Sequence, residues 1–395
     1  MILRLPTEGL PVVRVLFSFI PGISHLFPLV PLAWAFRAAG HEVLVAFGEH
    51  TEIAARTGLH IVDVAPGYDG MAVLEKALED NPKLAEEWWA STLTDDPTPW
   101  AVFFAALNRP LVAGTMDLVD RWRPDLVVYE QSATVGLMAA ARCGVPAVQR
   151  NLGIVRTGGL HEAVARCLPD LCDTYGIDSV RQPAVTVEHL PPSMLPQEPE
   201  GWFMREIPFN GGAILGERLP APADGPRIAI TMGSVRPGGF YGYYGIEQLT
   251  RLVGEAGKVN AEFLLALGDV DLAPLGELPP NVRPIGWTPL DALLRTCTAV
   301  VHHGGPGTTM TAIEAGIPQL LALDPLDQGN ETTGPAVAKR GIGIVTTQEE
   351  VDASMLERLL TDQDLRIATR EVRAEVAELP SPADVVPRLI ALTTG

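Results

Sequence analysis

"VHHGGPGTTMTAIEAGIPQ", residues 301–319, places four glycines, two adjacent histidines and three threonines where a strand reads as running into a helix. Glycine costs about 1 kcal/mol against alanine inside a helix. Gly304, Gly305 and Gly307 together therefore mark backbone that must approach something closely. A helix start presents unpaired N–H groups and the positive end of the helix dipole, which favour phosphate. Thr308 and Thr309 add hydroxyls, and His303 adds a hydrogen-bond donor or a positive charge. The junction reads as an anion site, most simply for a diphosphate; a tight structural turn is the competing reading. No GxxxxGK[ST] occurs, and no GxGxxG follows the first strand of either half, so Walker-type and nicotinamide readings fit less well.

The same grammar extends outward. "RIAITMG" (227–233), "AEFLLALG" (261–268), "VRPIGW" (282–287) and "IPQLLALD" (317–324) read as strands, with helices at "GIEQLTRLVGEAG" (245–257) and "PAVAKRG" (335–341). The first half repeats it. "VRVLFSFI" (13–20), "HEVLVAFG" (41–48), "LHIVDVAP" (59–66), "PDLVVYE" (124–130) and "VPAVQRN" (145–151) are strands. "LFPLVPLAWAFRAAG" (26–40), "EHTEIAARTG" (49–58) and "SATVGLMAAARCG" (132–144) are helices. Residues 191–226 are proline-rich and non-periodic, as a connecting segment is. The fold class is α/β, with two doubly wound, Rossmann-like domains facing across a deep cleft. Ligands in such sheets bind at the carboxyl ends of the strands. The final "SPADVVPRLIALTTG" is an amphipathic helix able to pack on either half.

Composition narrows the function. The 395-residue chain is 47% hydrophobic and 19% charged, as a globular protein is, with a formal net charge of −19. No basic block offsets that charge, so no nucleic-acid partner is expected. Cys143, Cys167, Cys172 and Cys297 form no CxxC pair and read as reduced thiols. The leader "MILRLPTEGLPVV" lacks the apolar core of a signal peptide, and no apolar run reaches a bilayer-spanning length. A cytoplasmic location without membrane association is expected, and a homodimer is compatible with the chain.

The segment "GWTPL" (286–290) followed by "VVHHGGPGTTMTAIEAGIPQLLALDPLDQGNE" (300–331) resembles the donor-binding signature of GT-B fold, GT1-type inverting glycosyltransferases. The likeness covers most of the chain, including "PGISHLFPLVPLAWAFRAAGHEVLVA" (21–46). It is nearest to actinobacterial enzymes that place deoxysugars on natural products, those of calicheamicin-type enediynes above all. Amino- and hydroxyamino-sugar transferases match through "RPDLVVYEQSATVG" (123–136) and "PEGWFMR" (199–205). The resemblance implies an acceptor-binding domain over residues 1–215, a nucleotide-sugar-binding domain over 216–378, and a helix over 379–395 packing back on the first domain.

It also implies roles. Trp287 would stack on the nucleobase, with Leu290 beside it; either is otherwise an ordinary apolar position. His303, Gly305, Gly307, Thr308 and Thr309 would surround the diphosphate, and His302 would point into the sheet. Gly233 and Ser234, in "TMGS", would make a second phosphate-side contact, although a serine there also suits a turn cap. Asp327 and Gln328, with Asp324 three residues earlier, would hold the donor sugar. Thr311 stands where uridine-diphosphate-sugar members carry a ribose-gripping glutamate, consistent with thymidine diphosphate (TDP). The TDP-sugar would be a co-substrate, and no metal or other cofactor is expected.

His25, in the loop after the first strand, matches the general base of the family; alone, a histidine there is as readily a cap or a buried hydrogen-bonding group. Glu130 stands where relatives carry an aspartate partner, with Gln131 as its rival. The acceptor would be a hydrophobic aglycone covered by the aromatic-rich segment 77–110, which holds Trp88, Trp89, Trp100, Phe103 and Phe104. An aromatic stripe of that kind is also a common core feature. Two other readings share this fold: a sugar-nucleotide epimerase, and a non-catalytic partner of another transferase.

Overall fold

The computed structural model describes residues 12–84, 97–154, 158–195, 198–199, 201–215, 225–233, 245–268, 270–324 and 330–394, with Asn330 and Glu331 as backbone only. Two parallel sheets organise it. The first contains β1 (Arg14–Ser18), β2 (Glu42–Phe47), β3 (Ile61–Asp63), β4 (Leu126–Glu130), β5 (Ala147–Arg150), β6 (Val185–Glu188) and β7 (Trp202–Phe203), in the order 3-2-1-4-5-6-7. The second contains β8 (Arg227–Thr231), β9 (Glu262–Ala266), β10 (Val282–Ile285), β11 (Ala299–His302), β12 (Gln319–Leu323) and β13 (Gly343–Thr347), in the order 10-9-8-11-12-13.

The strand order reverses direction once in each sheet, between β1 and β4 and between β8 and β11. The two pairs are in register, with Phe17 opposite Val128 and Val301 opposite Ile230. At such a switch the crossovers leave to opposite sides and open a crevice beyond the carboxyl ends. Every residue of β4, β8 and β11 is buried, as central parallel strands covered on both faces must be.

One face of the first sheet packs on the helices Thr98–Trp122, Thr134–Cys143 and Leu160–Arg166. The other face packs on Val30–Ala38 and on the last helix, Pro382–Ala391. Val385, Val386, Leu389 and Ile390 of that helix share a core with Val15, Phe17 and Phe36. Ser381 and Asp384 form a capping box at its start, and Arg388 lies 3.9 Å over the Trp202 ring.

Three local readings change. The helix expected after β1 is broken into Ile23–Leu26, a 3-10 turn Phe27–Leu29, and Val30–Ala38, with Pro28 and Pro31 at the breaks. The segment 191–226 is not wholly a connector: Trp202 pairs with Val187 as the seventh strand, too short to show a period. The helix Thr98–Trp122 is long and apolar enough to cross a bilayer, a run the sequence reading did not find. Its Phe103, Leu111, Val112, Met116 and Val119 instead lie in the first domain's core. All four cysteines are half-buried and free.

Candidate active site

The first switch point carries His25 and Glu130. Gly22, at φ 140°, turns the chain out of β1, and its carbonyl accepts from the N–H groups of His25 and Leu26 at 3.1 Å. His25 thus sits in a one-turn helix rather than in the expected open loop. Its Nδ1 lies 3.4 Å from Glu130 Oε1, with 22% of the His25 side chain exposed and none of Glu130. Glu130 also accepts from Ile20 N–H at 3.3 Å and Ser132 N–H at 2.8 Å. Burial alone would raise its pKa, but His25 and the two amides outweigh this and hold it below the usual carboxylate range. Gln131 is turned away, its Oε1 accepting from Leu152 N–H at 3.0 Å. Of the two rivals, Glu130 is the one that faces His25.

The second switch point carries His303, one residue beyond β11, and Gly233, two residues beyond β8. A Cβ on Gly233 would lie 2.5 Å from His303 Cε1, and one on Gly305 would lie 2.6 Å from His303 Nε2. The imidazole is therefore gripped between two glycine backbones, and Gly233 also has φ +77°. His303 is partly exposed, yet enough desolvated that its pKa is pushed down to about 4. Burial thus favours the neutral, hydrogen-bonding form of the imidazole over the positive charge that the sequence allowed.

His302 is fully buried in the sheet. Its Nδ1 accepts from Gly304 N–H at 3.1 Å, so Nε2 carries the proton and donates to Gln319 Oε1 at 2.9 Å. Burial pushes its pKa down to about 3.

The helix Pro306–Ala315 starts at Gly305, which offers no side-chain cap. Thr309 N–H makes the first intrahelical bond, to Gly305 O at 3.0 Å, which leaves the N–H groups of Gly307 and Thr308 ahead of it. The Thr308 side chain is partly exposed at this end. Thr309 corrects the expectation: its hydroxyl also donates to Gly305 O, at 3.1 Å, and the residue is 2% exposed. Thr311 is likewise buried, its hydroxyl donating to Gly307 O at 2.7 Å.

Trp287 lies two residues beyond β10, not at its end, and is 41% exposed. Leu290 opens the helix Leu290–Leu294, whose Asp291 N–H donates to Asn210 Oδ1 at 3.0 Å. Gly211, at φ +83°, passes between Phe27 and Trp287; a Cβ there would stand 3.5 Å and 3.9 Å from their rings. Phe27 meets Phe209 edge-on at 5.2 Å. Sequence reasoning missed this junction, although "FNGG" (209–212) carries a turn signal.

Asp324 is partly buried just past β12. Ser234, Asp327 and Gln328 lie outside the described residues, as do Trp88 and Trp89. Trp100 stacks on Phe104 at 6.2 Å, both partly buried, whereas Phe103 is a core residue, 3% exposed.

The chain is similar to known proteins over most of its length. Residues 34–233 match the family model "Erythromycin biosynthesis protein CIII-like, N-terminal domain", and residues 250–392 match the C-terminal domain model. The chain is 38% identical over 381 residues to the elloramycin glycosyltransferase ElmGT of Streptomyces olivaceus, covering 95% of this chain and 96% of that protein. It is 30% identical to the TDP-daunosamine transferase DnrS of Streptomyces peucetius, covering 94% of each chain. Among solved structures it is similar to the glycosyltransferase SnogD from Streptomyces nogalater, with TM-score 0.81 and 38% identity over 97% of this chain and 100% of that one. It is also similar to the glycosyltransferase VinC in complex with dTDP, with TM-score 0.78 and 28% identity over 96% and 99%.

Proposed function

Since the chain belongs to the erythromycin biosynthesis protein CIII-like family of glycosyltransferases, with the GT-B fold, we propose that it moves a deoxysugar from a TDP-sugar to a hydroxyl of a hydrophobic polyketide aglycone, with inversion and without a metal. One observation carries the reading. The two switch points supply complementary chemistry, a carboxylate-paired histidine in one domain and a histidine beside an uncapped helix start in the other.

In the proposed reaction the acceptor oxygen attacks the anomeric carbon as the bond from that carbon to the diphosphate oxygen breaks. The acceptor proton passes to His25 Nε2, the nitrogen not facing Glu130, and the Glu130 carboxylate stabilises the imidazolium that forms. The departing TDP takes the electron pair. His303 and the N–H groups of Gly307 and Thr308 stabilise that charge, the part a metal plays in other transferases.

Trp287 is the platform for the base, beside Leu290. Asp324, Asp327 and Gln328 are assigned to the donor sugar, and Ser234 to the phosphate side. Thr311 supports thymidine over uridine: with its hydroxyl already given to Gly307 O, it cannot bridge two ribose hydroxyls. The protein named as SpnG has been solved with TDP and with spinosyn aglycone, which supports a donor and acceptor of these classes. An enediyne-type aglycone is the narrowest form of the proposal and rests on the sequence resemblance.

The test is a calorimetric titration with TDP and UDP without added metal, followed by acceptor-dependent TDP release. Tight TDP binding, weaker UDP binding and release that requires an acceptor support the reading. Release without acceptor would favour an epimerase or hydrolase, and nucleotide binding without turnover would favour a non-catalytic partner.

A further inference from the structure

Asn108 sits in the middle of the helix Thr98–Trp122 with no exposed surface. A buried amide in an apolar helix interior is costly unless its two N–H groups and its oxygen find partners. Here all are engaged. Nδ2 donates to Phe104 O of the same helix at 2.8 Å and to Ser132 O at 3.0 Å, and Oδ1 accepts from Val135 N–H at 2.9 Å.

The two long-range bonds land on the turn between β4 and the helix Thr134–Cys143. That helix starts at Ala133, which has no side chain able to cap it. Asn108 therefore acts as its cap from a different helix, taking one of the amides that the first turn leaves unpaired. The same turn holds Ser132, whose N–H is one of two amides on the Glu130 carboxylate.

We infer that Asn108 is a positioning residue for the transfer reaction: by capping and pinning the turn 132–135, it holds Glu130 against His25. The inference rests on the general-base role proposed for His25. It also links the acceptor side to the base, because Asn108 bonds the carbonyl of Phe104, which stacks on Trp100. In Asn108→Ala, Ser132 O and Val135 N–H lose their partner, and the Ser132 amide is no longer held on Glu130. In Asn108→Asp the shape is kept, but a carboxylate oxygen faces the Ser132 and Phe104 carbonyls.

The experiment compares Asn108→Ala, Asn108→Asp, Glu130→Gln and the double variant Asn108→Ala/Glu130→Gln with wild type. One readout is the NMR titration of the His25 imidazole. The other is acceptor-dependent TDP release from TDP-rhamnose with a dihydroxyanthraquinone.

The expected result is a fall in kcat of about tenfold or more in Asn108→Ala, with KM for TDP-rhamnose and TDP affinity unchanged. The His25 titration moves in the same direction as in Glu130→Gln, and the double variant matches Glu130→Gln alone. If Asn108→Ala does not fold, Asn108→Asp answers the same comparison. An unmoved His25 titration, or single-variant effects that multiply in the double variant, would overturn the inference. The general-base role it rests on fails separately, if His25→Ala turns over like wild type; the NMR titration reads the Asn108 placement in either case.

Discussion

Gly233 and His303 follow neighbouring strands of the second sheet, β8 and β11, and nothing larger than glycine fits at residue 233: a Cβ there would stand 2.5 Å from His303 Cε1. Gly233→Ala is expected to push the imidazole out of the crevice while also straining a backbone at φ +77°. TDP affinity should fall about tenfold or more, equivalent to roughly 1.4 kcal/mol. A calorimetric titration checks it; unchanged affinity would remove His303 from the phosphate site.

Trp287 is an exposed aromatic beside Gly211. Trp287→Ala should cost about 1–3 kcal/mol of nucleotide binding, the usual range for base–aromatic stacking. TDP and UDP should both lose affinity, since thymine and uracil each present a pyrimidine face to the ring. A loss confined to one nucleotide would contradict the stacking role.

The buried histidines set a pH dependence. Burial depresses His161 to about 4 and His302 to about 3, so below the unfolded value near 6.5 the unfolded chain binds protons that the folded chain refuses. Stability should therefore decline as pH falls from about 6.5 towards 4, with roughly 3 kcal/mol as an upper figure for His161. Glu130 has the same sign over a lower window: its depressed pKa stabilises the fold above the unfolded carboxylate value and is lost as pH falls through the folded one. Thermal melts from pH 8 to 4 test this, with His161→Gln expected to flatten the upper part of the slope.

The last helix closes the first sheet rather than the second. Leu389 is fully buried among Val15, Phe17 and Phe36. Leu389→Ala should cost about 2–5 kcal/mol of stability, seen as a lower melting temperature with TDP affinity at the second domain little changed.

How far these features were legible in the sequence depended on the range of the interaction. The β-α alternation and the glycine-rich junction are local, so the central strands of both sheets and the helix start at Pro306 could be read directly. The edge-side strands Val185–Glu188 and Gly343–Thr347 are too short and mixed to stand out. Glu130 facing His25 follows from strand order, because β1 and β4 are neighbours across a gap of more than a hundred residues. Family resemblance supplied that pairing; periodicity could not. Pro28 and Pro31 mark the break in the helix after β1, but the apolar pattern continues across them and hides it. The Trp202–Phe203 strand, the inward turn of Thr309 and the cap supplied by Asn108 depend on tertiary neighbours, and no local pattern marks them.

The most direct measurement is acceptor-dependent TDP release by wild type and His25→Ala, with TDP binding measured on the same samples. The account predicts a loss of about 10²-fold or more in His25→Ala, in the range for removing a general base, with TDP affinity intact. Turnover at the wild-type rate in His25→Ala would contradict it.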